Sequence, residues 1–170
     1  MTMTAESVVE ILGWFRDARV DVWLDGGWGV DALVGEQTRE HKDLDVIVRD
    51  ERETRMREVA GDHGFAQARG VPQNFVLADV TGRETDVHPV TFDDRGDGHL
   101  LSADGEPFVH PAEAFASNGK HLREGGRVSV GRGADGEPLV GYSPVDTDVH
   151  DMRLLHDRLG TRLLTPYVSS

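Results

Sequence analysis

The sequence predicts an α+β domain, with amphipathic helices laid on a β-sheet, from three observations. Apolar residues recur at helical spacing near both ends of the chain, over residues 5–17 and 143–159. Between them, short runs at 43–48 and 84–92 read as strands, the first alternating polar and apolar residues with period 2. With 170 residues the chain is long enough for one hydrophobic core and marginal for two.

In chain order, Val8, Ile11, Leu12 and Phe15 give residues 5–17 an apolar stripe, and Ser7 and Glu10 stand at capping-box spacing. Residues 20–24 form a short strand that breaks at Gly26-Gly27. Residues 28–34 follow as a short helix with Ala32 and Leu33 inward, stopped by Gly35. A polar loop, 36–42, leads into the strand 43–48. Residues 51–63 make a helix with Met56, Val59 and Ala60 as its stripe and Gly64 as its end. Strands at 65–68, 74–80 and 84–92 are joined by turns at Arg69-Gly70 and Thr81-Gly82. Pro89, which has no N–H, argues for a strand end or an edge. Residues 93–105, rich in Gly and Asp, are a loop around an island at 99–101. Pro111 opens a short helix at 111–116. Segments 125–130 and 138–141 pair as a hairpin about the turn 131–136. Val145, Val149, Met152, Leu155 and Leu159 line the last helix, which Gly160 closes before an irregular tail, 161–170. No repeat or linker divides the chain. It reads as a single domain, 1–170, with a core at about 5–92 and a C-terminal part at about 93–170.

The formal charge of -13 opposes binding to nucleic-acid phosphates and suits a cationic small substrate. A bound divalent metal would offset part of it. No apolar run approaches the ~20 residues of a membrane helix. The N-terminal MTMTAESVVE lacks the basic and apolar regions of a signal peptide, so a cytoplasmic protein is expected. There is no cysteine, which excludes disulfides and thiolate metal sites. The absence of H-E-x-x-H argues against a zinc hydrolase.

Asp43 and Asp45 lie two residues apart on one strand face, opposite Leu44, Val46 and Val48. Two such carboxylates repel unless a positive group lies between them, and Mg²⁺ is bound through oxygens of this kind. The plain alternative is a pair of surface acids on an edge strand, but the apolar opposite face argues for a cleft. Gly26-Gly27, between a strand and a helix N-terminus, admits a phosphate close to the backbone, where a simple turn is the alternative. It is neither a Walker A loop nor a G-x-G-x-x-G fingerprint. Trp28 has two open readings, core plug or ligand platform. A phosphate seat beside two metal-binding carboxylates points to phosphoryl or nucleotidyl transfer. Asp86 offers a third carboxylate, for a second metal or for the proton of an attacking hydroxyl. His88 shares its face and is placed to orient it or touch substrate. Arg39, His41 and Lys42 are candidates to steady phosphate charge, each with a solvated loop residue as its alternative. His150, with Leu154, either borders a substrate pocket or is a surface histidine.

The string DGGWGVDALVGEQTREHKDLDVIV, followed by DVHPV, resembles the DNA polymerase beta-like nucleotidyltransferase superfamily. Within it, the string is most similar to the small lincosamide and aminoglycoside 2''-nucleotidyltransferases. The resemblance is strong over residues 23–48, fair over 85–90 and diffuse in the C-terminal half. It implies a nucleotidyltransferase-type mixed β-sheet flanked by helices, with a small C-terminal helical and hairpin region. It also implies ATP or another NTP as co-substrate with Mg²⁺, transfer of a nucleoside monophosphate to a hydroxyl, and release of pyrophosphate. Gly26 and Gly27 would seat the triphosphate, Asp43 and Asp45 would ligate metal, and Asp86 would act as metal ligand or general base. A homodimer whose C-terminal part selects the acceptor is implied too. A lincosamide or aminoglycoside antibiotic is the acceptor that the resemblance suggests, but the turn GRGADGE departs from the antibiotic enzymes, so the resemblance does not fix which acceptor is used. Two rivals stand beside this reading. One is transfer to tRNA or protein, as by a toxin, for which Arg123, Arg127 and Arg132 would have to gather at the cleft. The other is a non-catalytic nucleotide-binding protein, against which the three retained acids stand.

Overall fold

The computed structural model describes residues 2–71, 74–101, 107–110, 127–128 and 146–160. Helix α1 (Ala5–Asp17) is capped by Thr4, whose hydroxyl accepts from the Ser7 amide at 3.2 Å. Ser7, expected as the first residue of a capping box, therefore lies inside the first turn. Strand β1 (Val22–Leu24), helix α2 (Gly26–Val34) and strand β2 (Leu44–Arg49) follow. A 3-10 turn (Asp50–Arg52) leads into α3 (Glu53–Asp62). Then come β3 (Ala66–Val71), β4 (Asn74–Ala78), β5 (Glu84–Phe92), β6 (Gly98–Leu101), β7 (Pro107–His110), β8 (Arg127–Val128) and α4 (Asp146–Leu159).

The strands form a mixed sheet in the order β3-β4-β5-β2-β1-β8, with the β6–β7 hairpin continuing from β5. The β2–β5 and β1–β8 pairs are parallel and the others antiparallel. Period-2 alternation divides the sheet. Leu44, Val46, Val48, Phe75, Leu77 and Val87 join Val8, Ile11 and Phe15 of α1 and Met56 and Val59 of α3 in one buried cluster. Each fully buried side chain of this size contributes about 1.5–3 kcal/mol. The intervening residues Asp45, Ile47, Asp86, His88 and Val90 belong to the other face, where Trp23, Ile47 and Val90 form a smaller cluster backed by Phe92 and Leu100.

Pro89 lies inside β5, paired with Val48. It is tolerated there because β4 pairs with β5 only as far as Val87 and β6 pairs with β5 only from Thr91, which leaves a local edge for the missing N–H. The expected turn Arg69-Gly70 lies inside β3 instead. A register shift between Gln67 and Arg69 and a φ of 99° at Gly70 bend that strand without ending it. The island at 99–101 is β6, and β7 is a strand where no period predicted one. The helix expected at 111–116, the segment 138–141 and the tail 161–170 lie outside the described residues.

The β4–β5 turn is held by Asp79. Its carboxylate accepts from the Thr81 amide (2.8 Å) and hydroxyl (2.7 Å) and from Arg83 N (3.0 Å) and Nε (2.7 Å). Arg83 also donates to Glu10 of α1 at 2.8 Å. Burial alone would raise this carboxyl, but the Thr81 and Arg83 bonds outweigh it and hold it at about 2. A depressed carboxylate stabilises the fold above its unfolded value and loses that contribution as pH falls through its folded one. Asp79→Ala is expected to cost about 1–3 kcal/mol at pH 7 by urea denaturation. The gap to the parent should shrink as pH falls from ~4 to ~2; an undiminished gap at pH 2 would contradict this account.

Candidate active site

The parallel register of β2 and β5 sets Asp45 beside Asp86 and Ile47 beside His88. His88 Nε2 is 3.8 Å from Asp86 Oδ1 and 4.0 Å from Asp45 Oδ1. One ligand atom from each of Asp45, Asp86 and His88 falls within a 4.8 Å group, and all three side chains are half-buried. Asp86 Oδ1 is buried with no hydrogen-bond partner among the described residues. Asp43 is half-buried in the bend just before β2, outside that tight group but close enough to act on it electrostatically.

The charges are not balanced. Burial, then Asp45, raises the Asp43 carboxyl. Burial likewise raises Asp86, with Asp45 and Asp43 adding to the shift and His88 and Arg69 opposing it. Burial works against a charged His88, but Asp45, Asp86 and Asp25 outweigh it and raise the imidazole above 6.5. Three carboxylates crowd one face, and an oxygen among them lacks a partner among the described residues. That arrangement suits a cation.

The N-terminus of α2 abuts this cluster, with the Asp25 amide donating to the Asp45 carbonyl at 2.9 Å. The helix begins at Gly26, two residues before the expected start, so the glycine pair forms its first turn. Gly26 has φ 56°, and a Cβ there would run into the Asp45 carboxylate. A Cβ on Gly27 would strike the Arg39 guanidinium and the His41 ring. The glycines thus make room for side chains of the site as well as baring the helix amides.

His41 is buried. Its Nε2 lies 2.5 Å from Asp31 Oδ2, and its carbonyl accepts from the Met3 amide. Asp31, also buried, accepts from Thr38 through both amide (3.1 Å) and hydroxyl (2.6 Å). Trp28 belongs to the core and packs against His41 at 4.5 Å between ring centroids, which makes it a plug behind that histidine. Arg39 makes a bidentate pair with Asp151 of α4, Nε–Oδ1 at 3.1 Å and Nη2–Oδ2 at 2.8 Å. Lys42 is exposed. His150 is exposed on α4, where it lines a surface cavity with Val149, Leu154 and Asp157.

The sequence reading gave Asp31 no role and placed Asp151 on the last helix without one. Asp31 carries a signal, since it is the one charged residue in the α2 segment GGWGVDALV, and a lone acid in an apolar helix needs a buried partner. Asp151 carries none, because its partner is 112 residues away.

A family profile described as aminoglycoside-2''-adenylyltransferase matches residues 7–155. A lincosamide resistance protein of Staphylococcus haemolyticus is 28% identical over 156 residues, 90% of this chain and 94% of that protein. Among solved structures, a lincosamide antibiotic adenylyltransferase with lincomycin bound superposes with a TM-score of 0.72 at 26% identity, covering 91% of this chain and 98% of its own. The fold is shared with ANT(2'')-Ia in complex with adenylyl-2''-tobramycin, at a TM-score of 0.65 and 20% identity over 90% and 87% of the two chains. With the mixed sheet, the flanking helices and the family match together, the chain belongs to the aminoglycoside-2''-adenylyltransferase family, as a nucleotidyltransferase of the DNA polymerase beta-like fold.

Proposed function

We propose that this enzyme transfers a nucleoside monophosphate from an NTP, ATP in the first instance, to a hydroxyl of a cationic small molecule of the lincosamide or aminoglycoside class. The observation that carries the proposal is the in-register pairing of β2 and β5. It gathers Asp45, Asp86 and His88 within 4.8 Å of one another, against the N-terminus of α2. The donor set fits Mg²⁺, because the carboxylate oxygens of Asp45, Asp86 and Asp43 are hard ligands and one of them lacks a partner among the described residues. When bound, the metal supplies charge neutralisation at the reacting phosphate. Asp43 and Asp45 would hold it, with Asp86 beside them. The first turn of α2 seats the triphosphate on its free amides, with Arg39 and His41 over Gly27. The acceptor hydroxyl oxygen attacks the α-phosphorus, its proton passes to Asp86, and the bond to pyrophosphate breaks. Asp86 suits this role because burial and its acidic neighbours raise its proton affinity. His88, 3.8 Å from Asp86 Oδ1 and 4.0 Å from Asp45 Oδ1, lies beside both carboxylates and would orient Asp86 or touch substrate. The formal charge of -13 and the lincosamide and aminoglycoside ligands of the relatives support the acceptor class. The part from residue 93 onward selects among such acceptors.

The direct test is mass spectrometry of an antibiotic and metabolite library incubated with the protein, Mg²⁺ and mixed NTPs. A mass gain of one nucleoside monophosphate identifies nucleotide and acceptor together; no gain and no pyrophosphate release across the library counts against the proposal. A second expectation concerns Gly27. Gly27→Ala puts a methyl into the space held by Arg39 and His41, so the KM for nucleotide should rise about tenfold, more than kcat falls. An unchanged nucleotide KM would detach Gly27 from the seat.

A further inference from the structure

Two carboxylates outside the acidic cluster hold the two basic groups that lie over Gly27. Asp31 takes His41 Nε2 on one oxygen and pins Thr38 with the other, so the loop between α2 and β2 is folded back onto the helix it leaves. The other edge of the ring, Nδ1 and Cε1, is then the part that a Cβ on Gly27 would meet. Asp151 does the same for Arg39. It takes Nε and Nη2, and Nη2 is the nitrogen lying over Gly27. Arg39 Nη1 reaches back to the Glu40 carbonyl at 3.3 Å. Each basic group is therefore tied along one edge and presents the other to the first turn of α2. Untied, a long arginine side chain samples many rotamers, and ordering it would count against ligand affinity.

Resting on the nucleotidyltransferase reading, we propose that Asp31 and Asp151 are positioning residues of the nucleotide seat, acting through His41 and Arg39. Asp151 belongs to α4, which packs on α2, so the C-terminal helix completes the seat formed by the N-terminal core. A carboxylate near a triphosphate also repels it. Here the bidentate, partly buried pair with Arg39 neutralises that carboxylate locally, which outweighs the repulsion. Another link of α4 to this region, Arg158 with Glu36, is exposed on both sides and serves as a control for helix docking alone.

The test is calorimetric titration of the full chain with Mg²⁺ and α,β-methylene ATP, alongside thermal melting. Asp151→Asn should weaken binding about tenfold with little change in melting temperature. Asp31→Asn should weaken it at least as much, while Glu36→Gln should leave it unchanged. The Arg39→Gln, Asp151→Asn double variant should bind no more weakly than Arg39→Gln alone, because Asp151 acts only through Arg39. Parent-like or tighter binding by Asp151→Asn, or additive losses in the double variant, overturns the proposal. An unaltered protein that fails to bind the analogue overturns the nucleotide reading itself, and this inference with it. If Asp31→Asn does not fold, Asp151→Asn decides the matter alone.

Discussion

Asp86→Asn is expected to lower turnover about 10³-fold while leaving the protein at least as stable as the parent. The two halves of that expectation share a cause. Asp86 is in the middle of the sheet, paired across to Asp45 on β2 and to Val76 on β4, so an isosteric amide leaves the ladder and the packing unchanged. Its carboxyl is raised by burial and by the nearby Asp45 and Asp43, which means that the charged form is disfavoured in the folded protein. A carboxyl raised on folding makes stability fall as pH climbs from its unfolded value through its folded one. The neutral amide removes that cost, so in metal-free buffer at pH 7 the melting temperature should stay level or rise. It also removes the acceptor for the hydroxyl proton, which is the catalytic loss. Steady-state pyrophosphate release and a melting curve on the same preparation check both halves. Wild-type turnover in this variant would remove Asp86 from the chemistry.

Asp45→Asn is expected to lower turnover by about 10² or more with the fold intact. The side chain touches both halves of the site. Its carboxylate lies against Gly26 at the start of α2 and against His88 of β5. Removing its charge weakens the hold on the metal and also leaves His88 with less reason to be protonated. The loss should therefore persist at saturating Mg²⁺, read as kcat from a Mg²⁺ titration. Full recovery at high Mg²⁺ would limit Asp45 to metal affinity and sink the larger role assigned to it.

Much of the candidate site is legible from spacing alone. Period 2 predicts that Asp43 and Asp45 point the same way along their strand, as do Asp86 and His88 along theirs, because successive side chains of a strand must alternate. A glycine pair ahead of an apolar helix marks a close approach to backbone. Helix positions follow from the 3.6 period, and α1, α3 and α4 lie where their stripes predict, to within a few residues. Boundaries were less legible where local chemistry has two solutions. Gly70 reads as a turn residue in sequence, and a bulged strand uses the same positive φ. Strand β7 has no alternation to announce it.

The sequence by itself determined which residues are candidates for the chemistry, since strand alternation and glycine placement are local properties that no partner element alters. The tertiary structure decided how those residues combine. Only the parallel pairing of β2 with β5 brings Asp45, Asp86 and His88 into one cluster and leaves Asp43 at its rim, and register is a property of two strands together. Only the docking of α4 on α2 brings Asp151 to Arg39, across 112 residues of chain, because a long-range ion pair leaves no periodic trace in the sequence of either partner.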